Sequence, residues 1–194
     1  NTSTIGSGTI QYNWDLGDGN TATTTDVNHS YAVEGTYLVK LLVTSDNGCT
    51  DTSSFTVTVN PSATAGFTVD DPNQCSAANL FVFTNTSTVS SGSLLYNWDM
   101  GDGSILTTRD VVYSYAMSGT YTVQLISTAA FGCADTISFD VSTFPQPLPG
   151  FTVNAAQQCF ANNQFIFTNT STISAGTLLY NWDLGDGTTA TTTD

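Results

Sequence analysis

Tyr12–Gly19 reads YNWDLGDG, Tyr96–Gly103 reads YNWDMGDG, and Tyr180–Gly187 reads YNWDLGDG again. The three tryptophans, Trp14, Trp98 and Trp182, stand 84 residues apart, and the same step holds elsewhere. Asn1, Asn85 and Asn169 each open an NTST; Cys49 maps to Cys133 and Cys75 to Cys159; Tyr37 maps to Tyr121 and Phe67 to Phe151. Roughly half of the aligned positions are identical, far above chance, so the chain is a tandem array and its fold is that of one repeat. The modules are read as 1–60 (lacking a first strand), 61–144 (complete) and 145–194 (lacking a closing half).

The complete repeat is a series of short strands. Phe81 and Phe83 share one face of Leu80–Thr86 by the period of two. Leu94, Tyr96 and Trp98 share a face of Leu94–Met100, Tyr121, Val123 and Leu125 one of Thr120–Thr128, and Ile137, Phe139 and Val141 one of Thr136–Ser142. Gly66–Val69 and Asp110–Tyr115 are two further short strands. No window shows a 3.6-residue period. Short strands separated by Gly, Asn and Ser turns predict an all-β sandwich. Trp14, Trp98 and Trp182 are then core residues packed between two sheets. Pro61 and the Pro145–Pro149 run mark boundaries, and the short links predict modules arranged end to end.

Composition bounds the function. Hydrophobic residues make up 40% of the chain and charged ones only 9%, with Thr, Ser and Asn supplying the polarity. The net charge is −14, and Lys40 and Arg109 are the only cationic side chains apart from His29. Nucleic acid and anionic lipid are therefore excluded as partners, since both need clustered Lys and Arg. No apolar run reaches the ~20 residues of a membrane helix, so no membrane insertion is expected.

The residues around the tryptophan match a known family. YNWD-GDG, followed by HSYAVEGTYLVKLLV (His29–Val43) and, one repeat later, VYSYAMSGTYTVQLI (Val112–Ile126), resembles the polycystic-kidney-disease (PKD) domain, whose signature is W-D-F-G-D-G, H-x-Y and G-T-Y-x-V. Leu16, Met100 and Leu184 stand where Phe is usual, and Tyr113 stands where His29 does. The FTV…QC…FTNTST opening and the Gly-Cys before the last strand resemble the version found in large secreted surface proteins of Bacteroidota. The resemblance implies tandem Ig-like sandwich modules, an extracellular or cell-surface location, and a stalk, filament or adhesin role. Its implied partners are neighbouring repeats and identical chains in a filament. The alternative is a module that binds polysaccharide or a cell surface beside an adhesin or secreted hydrolase.

The acidic turns carry the candidate site residues: Asp15 and Asp18, Asp99 and Asp102, Asp183 and Asp186. D-x-x-D-G offers two carboxylates, whereas a calcium loop gathers five or more oxygens. The reading favoured is a tight turn in which Asp accepts backbone N–H groups and Gly supplies positive φ; calcium is the lesser alternative, and no cofactor is otherwise expected. Catalysis is not expected either. His29 is the only histidine, its counterpart is Tyr113, and no charged cluster surrounds it.

The four cysteines, Cys49, Cys75, Cys133 and Cys159, sit at repeat-locked positions with no C-x-x-C, which suggests disulfides over zinc. Two pairings stay open: Cys75 with Cys133 inside one module, or each cysteine with a neighbouring module. Asn1 falls inside a second strand and Asp194 after a third. That is expected of a window on a longer array. A head that completes a neighbour's tail is the other possibility, and it meets the objection that residues 1–26 duplicate 169–194.

Overall fold

The computed structural model describes residues 1–192; Thr193 and Asp194, the end of the third predicted module, lie outside the described residues. Apart from one short 3-10 turn at Ala130–Gly132, the secondary structure is all β. Two compact units form. One contains residues 1–64 with 88–95 and 127–135, and the other contains 65–87, 96–126 and the chain from Thr136 onward. The compact units therefore do not follow the 84-residue frame, although the strands do.

In the first repeat, β1 (Ile10–Asp15), β2 (Thr21–Ala22), β3 (Gly35–Ser45) and β4 (Thr50–Val59) form one antiparallel sheet in the order β2-β1-β3-β4. The second repeat supplies β5 (Phe67–Val69), β6 (Asn73–Cys75), β7 (Phe81–Asn85), β8 (Leu94–Asp99), β9 (Ile105–Leu106), β10 (Val111–Tyr113), β11 (Gly119–Ala129) and β12 (Ala134–Phe144). These make a three-stranded sheet, β10-β7-β5, and a five-stranded sheet, β6-β12-β11-β8-β9. In the third repeat β13 (Phe151–Val153) pairs with β14 (Phe167–Asn169), and β15 (Trp182–Asp183) with β16 (Thr189–Ala190).

The alternation read from the sequence is the alternation of burial in β7, β8 and β11, whereas in β12 only Val141 of the face Ile137, Phe139 and Val141 is buried and the other two are exposed. Phe81, Phe83, Trp98, Val123, Leu125 and Val141 are fully buried and form one cluster with Met100, Val111 and Tyr115. Their neighbours Val82 and Thr122 face outward. Burying each large apolar side chain stabilises the sandwich by roughly 1.5–3 kcal/mol, and aromatic pairs add to that. Phe67 meets Trp98 edge-on at 5.0 Å between ring centroids, and Phe83 lies 6.0 Å away at a tilt.

Two strands escaped the sequence reading. β9 has two residues, too few to show a period. β6 pairs in parallel with the last residues of β12, Asn73 opposite Ser142 and Cys75 opposite Phe144. Gln74 fixes it, donating to the Leu80 carbonyl and accepting from the Leu80 N–H. An Asn-Gln-Cys tripeptide held by one amide side chain carries no hydrophobic pattern.

β6 also corrects the pairing of Cys75 with Cys133. Cys75 lies beside Phe144, at one end of β12, and Cys133 immediately precedes the other end. Eleven residues of extended chain separate those ends, roughly 35 Å at about 3.3 Å per residue. A disulfide needs Cα atoms within about 7 Å. All four thiols are free, and Cys133 is the least exposed of them.

Candidate functional site

The acidic turn recurs in all three repeats, and its geometry is most complete between β8 and β9. The Asp99 carboxylate accepts the Gly101 N–H at 2.9 Å, and the Asp102 carboxylate accepts the Ser104 N–H at 3.0 Å. The Met100 N–H donates to the Ser104 carbonyl at 3.0 Å and closes the loop. Gly101 has φ +80° and lies against β11, where an added Cβ would come 2.7 Å from the Thr122 carbonyl oxygen. A side chain is therefore excluded at Gly101 both by backbone conformation and by space.

Around this turn the polar tips of Trp98, Tyr113 and Tyr115 are hydrogen-bonded. Trp98 Nε1 donates to the Thr108 carbonyl at 3.0 Å. The buried Tyr115 hydroxyl donates to the Met100 carbonyl at 2.7 Å, and its ring stacks on Tyr121 at 3.8 Å. Burial pushes the Tyr115 hydroxyl pKa up. Tyr113 donates to Asp102 Oδ2 at 2.8 Å. Desolvation opposes the charge on Asp102, but the Ser104 N–H and the Tyr113 hydroxyl outweigh it and hold the carboxyl below the usual range.

The other copies repeat the pattern. Asp15 accepts from Gly17 at 3.0 Å and Asp18 from Asn20 at 3.1 Å; Asp183 accepts from Gly185 and Asp186 from Thr188, both at 2.9 Å. Trp14 and Trp182 donate to the Thr24 and Thr192 carbonyls at 3.0 Å. In the first copy the side chains facing the second aspartate differ: Asn20 Nδ2 donates to Asp18 Oδ2 at 3.0 Å. His29 Nε2 meets Asp18 Oδ2 at 2.7 Å, where the second copy has a tyrosine, and this contact takes the Asp18 carboxyl down to about 2.

The predicted aspartates are thus brought together in pairs, each binding backbone N–H groups of its own turn. Among the described residues no group of three or more His, Cys, Asp or Glu side chains is placed to hold a metal ion. Trp98 is fully buried, while Trp14 and Trp182 are only half-buried, because their repeats have fewer strands over them. The sequence reading missed Asn79, a buried residue on no strand. Its Oδ1 accepts the Tyr115 N–H at 2.7 Å, and its Nδ2 donates to the Tyr115 and Ser76 carbonyls. Asn79 ties the loop after β6 to the Tyr115 that caps the turn. Its only signal in the sequence is the matching Asn163, which donates to the Phe160 carbonyl.

The family model described as "PKD domain" matches residues 1–59 and again 60–143. The chain belongs to the PKD domain family. Among curated proteins it is similar to the pre-pro-metalloprotease PrtV of Vibrio cholerae, 32% identical over 148 residues, covering 73% of this chain and 15% of that protein. It is also similar to a microbial collagenase of Vibrio alginolyticus (47% over 47 residues, 24% of this chain, 6% of that protein). A third relative is collagenase ColQ1 of Bacillus cereus (41% over 64 residues, 33% and 6%). The chain spans only a small part of the length of these relatives. Two solved structures, both PKD1 domains, are also similar. That of Vibrio anguillarum Epp is 26% identical and covers 42% of this chain and 93% of its own, with TM-score 0.36. That of the Vibrio cholerae metalloprotease PrtV is 28% identical, with 44% and 98% covered and TM-score 0.35.

Proposed function

We propose that this chain is a non-catalytic, extracellular spacer: a tandem PKD segment that sets distance in a larger secreted or surface protein, as a stalk or filament body does. The observation that carries this reading is that the repeated constellation is spent internally. Each acidic turn binds its own backbone N–H groups, each indole N–H binds a carbonyl across the turn, and the tyrosines close the loop. What the repeats hold in common is thus the means of making a sandwich, and a part selected for length is built by repeating a fold. The relatives named for protease and collagenase activity support an accessory, extracellular setting for such modules. The affiliation with Bacteroidota surface proteins rests on the FTV…QC and Gly-Cys motifs alone.

The alternative, a polysaccharide- or surface-binding module, is favoured by two loop aromatics. Phe131 is 83% exposed and Phe160 98% exposed. Phe131 also sits at φ +66°, a conformation that costs a bulky residue energy. Isothermal titration of the chain with soluble polysaccharides, and cosedimentation with insoluble ones, separates the two. The spacer reading expects no saturable binding. Saturable binding that is lost in Phe131→Ala or Phe160→Ala would replace it with the binding reading.

A further inference from the structure

A protease of the trypsin class cuts after lysine or arginine, because an aspartate at the base of its specificity pocket takes the basic side chain. Lys40 and Arg109 are the only lysine and arginine of this chain, so Lys40–Leu41 and Arg109–Asp110 are the only bonds it offers to such an enzyme. Recognition of the side chain is not enough. The substrate must also lie in the cleft as an extended strand, with backbone N–H and C=O groups free on both sides of the bond.

Lys40 is exposed, but it lies in the middle of β3. Its ladder partner is Asp15 of β1 on one side and Ser54 of β4 on the other. Leu41, across the bond, pairs with Trp14 and Ser53 and is buried. A strand flanked on both sides has no free edge to present.

Arg109 is exposed in a bend between β9 and β10, a place where proteases ordinarily cut. Here the side chain is offered and the backbone is not. Before the bond, the Thr108 carbonyl accepts Trp98 Nε1 at 3.0 Å, and the Thr108 hydroxyl donates to the Asp110 carbonyl at 2.8 Å. Beyond it, the Asp110 carboxylate accepts the Asn85 N–H at 2.8 Å, and Val111 pairs with Phe83. Trp98, Asn85, Val111 and Phe83 are all buried, so the bend cannot be drawn out into a cleft without opening the core.

We infer that both bonds are closed to trypsin-class proteases in the folded chain and open only when the repeat that carries them unfolds. Cleavage is then ordinary hydrolysis: the C–N bond after Lys40 or Arg109 breaks, and water supplies a hydroxyl to the new carboxyl group and a hydrogen to the new amine. The lock does not depend on whether the chain is a spacer or a binding module.

Trypsin digestion of the 194-residue chain, with the fragments followed by mass spectrometry, gives the rate at each bond. A short synthetic peptide spanning the same bond supplies the unfolded rate. The folded chain should be cut at least about a hundredfold more slowly than the peptide at both bonds. Asp110→Ala, which removes the tie to Asn85, should speed the Arg109 cut about tenfold relative to its own peptide and leave the Lys40 cut unchanged. Ser91→Arg places a basic residue in the exposed turn at Ser90–Ser93 and should be cut there within about tenfold of its peptide. Cleavage of the folded chain at Lys40 or Arg109 at the pace of the peptide overturns the inference. So does an Arg109 rate that Asp110→Ala does not move, or a bond after position 91 as well protected as the other two, since protection would then not come from these contacts.

Discussion

Trp98 and Trp14 occupy the same place in the same eight-residue sequence, yet Trp98 has no exposed surface and Trp14 is half-open to solvent. Both donate to a carbonyl ten residues on at 3.0 Å, and both stand beside a doubly capped acidic turn. The local turn is therefore written into the sequence and forms in either setting. Burial is not local: it needs β5 and β7 overhead. The comparison separates what a repeat encodes for itself from what its second sheet contributes.

The largest expected effect of that separation is at the tryptophans. Trp98→Ala should cost about 3–5 kcal/mol, the usual loss for a fully buried aromatic, and Trp14→Ala or Trp182→Ala no more than about 2. Urea denaturation followed by far-ultraviolet circular dichroism reads both. Equal losses at the three positions would break the comparison, because they would make the turn, and not the second sheet, the seat of stability.

Glycines sharpen it. Gly101 and Gly185 have the same backbone, φ +80° and +81°, but a Cβ at Gly101 meets β11 whereas one at Gly185 meets nothing within 4 Å. Left-handed conformation alone costs a side chain about 1–2 kcal/mol. Gly185→Ala should show that much, and Gly101→Ala about 1–2 kcal/mol more because Thr122 must move. Thermal unfolding of the two variants measures the difference, and its absence would mean that β11 yields freely at this point.

Tyrosine hydroxyls give a smaller version. Tyr115 donates to Met100 in the buried core, and Tyr31 donates to the Leu16 carbonyl at 2.8 Å with partial exposure. Removing a buried donor leaves its carbonyl unpaired, at about 1–3 kcal/mol, while a carbonyl within reach of water recovers much of the loss. Tyr115→Phe should therefore destabilise more than Tyr31→Phe in the same urea experiment.

These contrasts also show which parts of the molecule were legible in sequence. The repeat, the strand faces and the turn chemistry follow from 84-residue identity, period-two alternation and Asp-Gly spacing, all local signals. β6 was not legible, because its placement depends on Gln74 reaching Leu80 and on a parallel ladder with the far end of β12. The separation of Cys75 from Cys133 was hidden for the same reason: it is set by the strand that β6 lies against. Asn79 escaped because buried amides are recognised by their partners, here Tyr115 and Ser76, and those partners are distant in sequence or unremarkable in type. The exposure of Phe151 and Trp14 depends on which strands lie over them, which no eight-residue window records.

The smallest expected effect lies where the first repeat has His29 and the second has Tyr113. Asp18 faces His29 and Asp102 faces Tyr113, at 2.7 and 2.8 Å. Asp18 is held at about 2 against an ordinary 3.8, chiefly by the His29 hydrogen bond. A carboxyl with a depressed folded value lends its stabilisation in full above the unfolded value. The first-repeat turn should therefore keep its contribution down to about pH 4 and lose it as the pH falls from there through about 2. Asp102 is lowered too, with Tyr113 supplying part of the cause and burial opposing it. Carboxyl carbon-13 chemical shifts followed against pH resolve the two sites. His29→Phe should move the Asp18 midpoint up toward 3.8, and Tyr113→Phe should move that of Asp102 upward by less, because the Ser104 N–H remains. An Asp18 midpoint unmoved by the loss of His29 would assign its depression to Asn20, and the two turns would then differ in side chain but not in electrostatics.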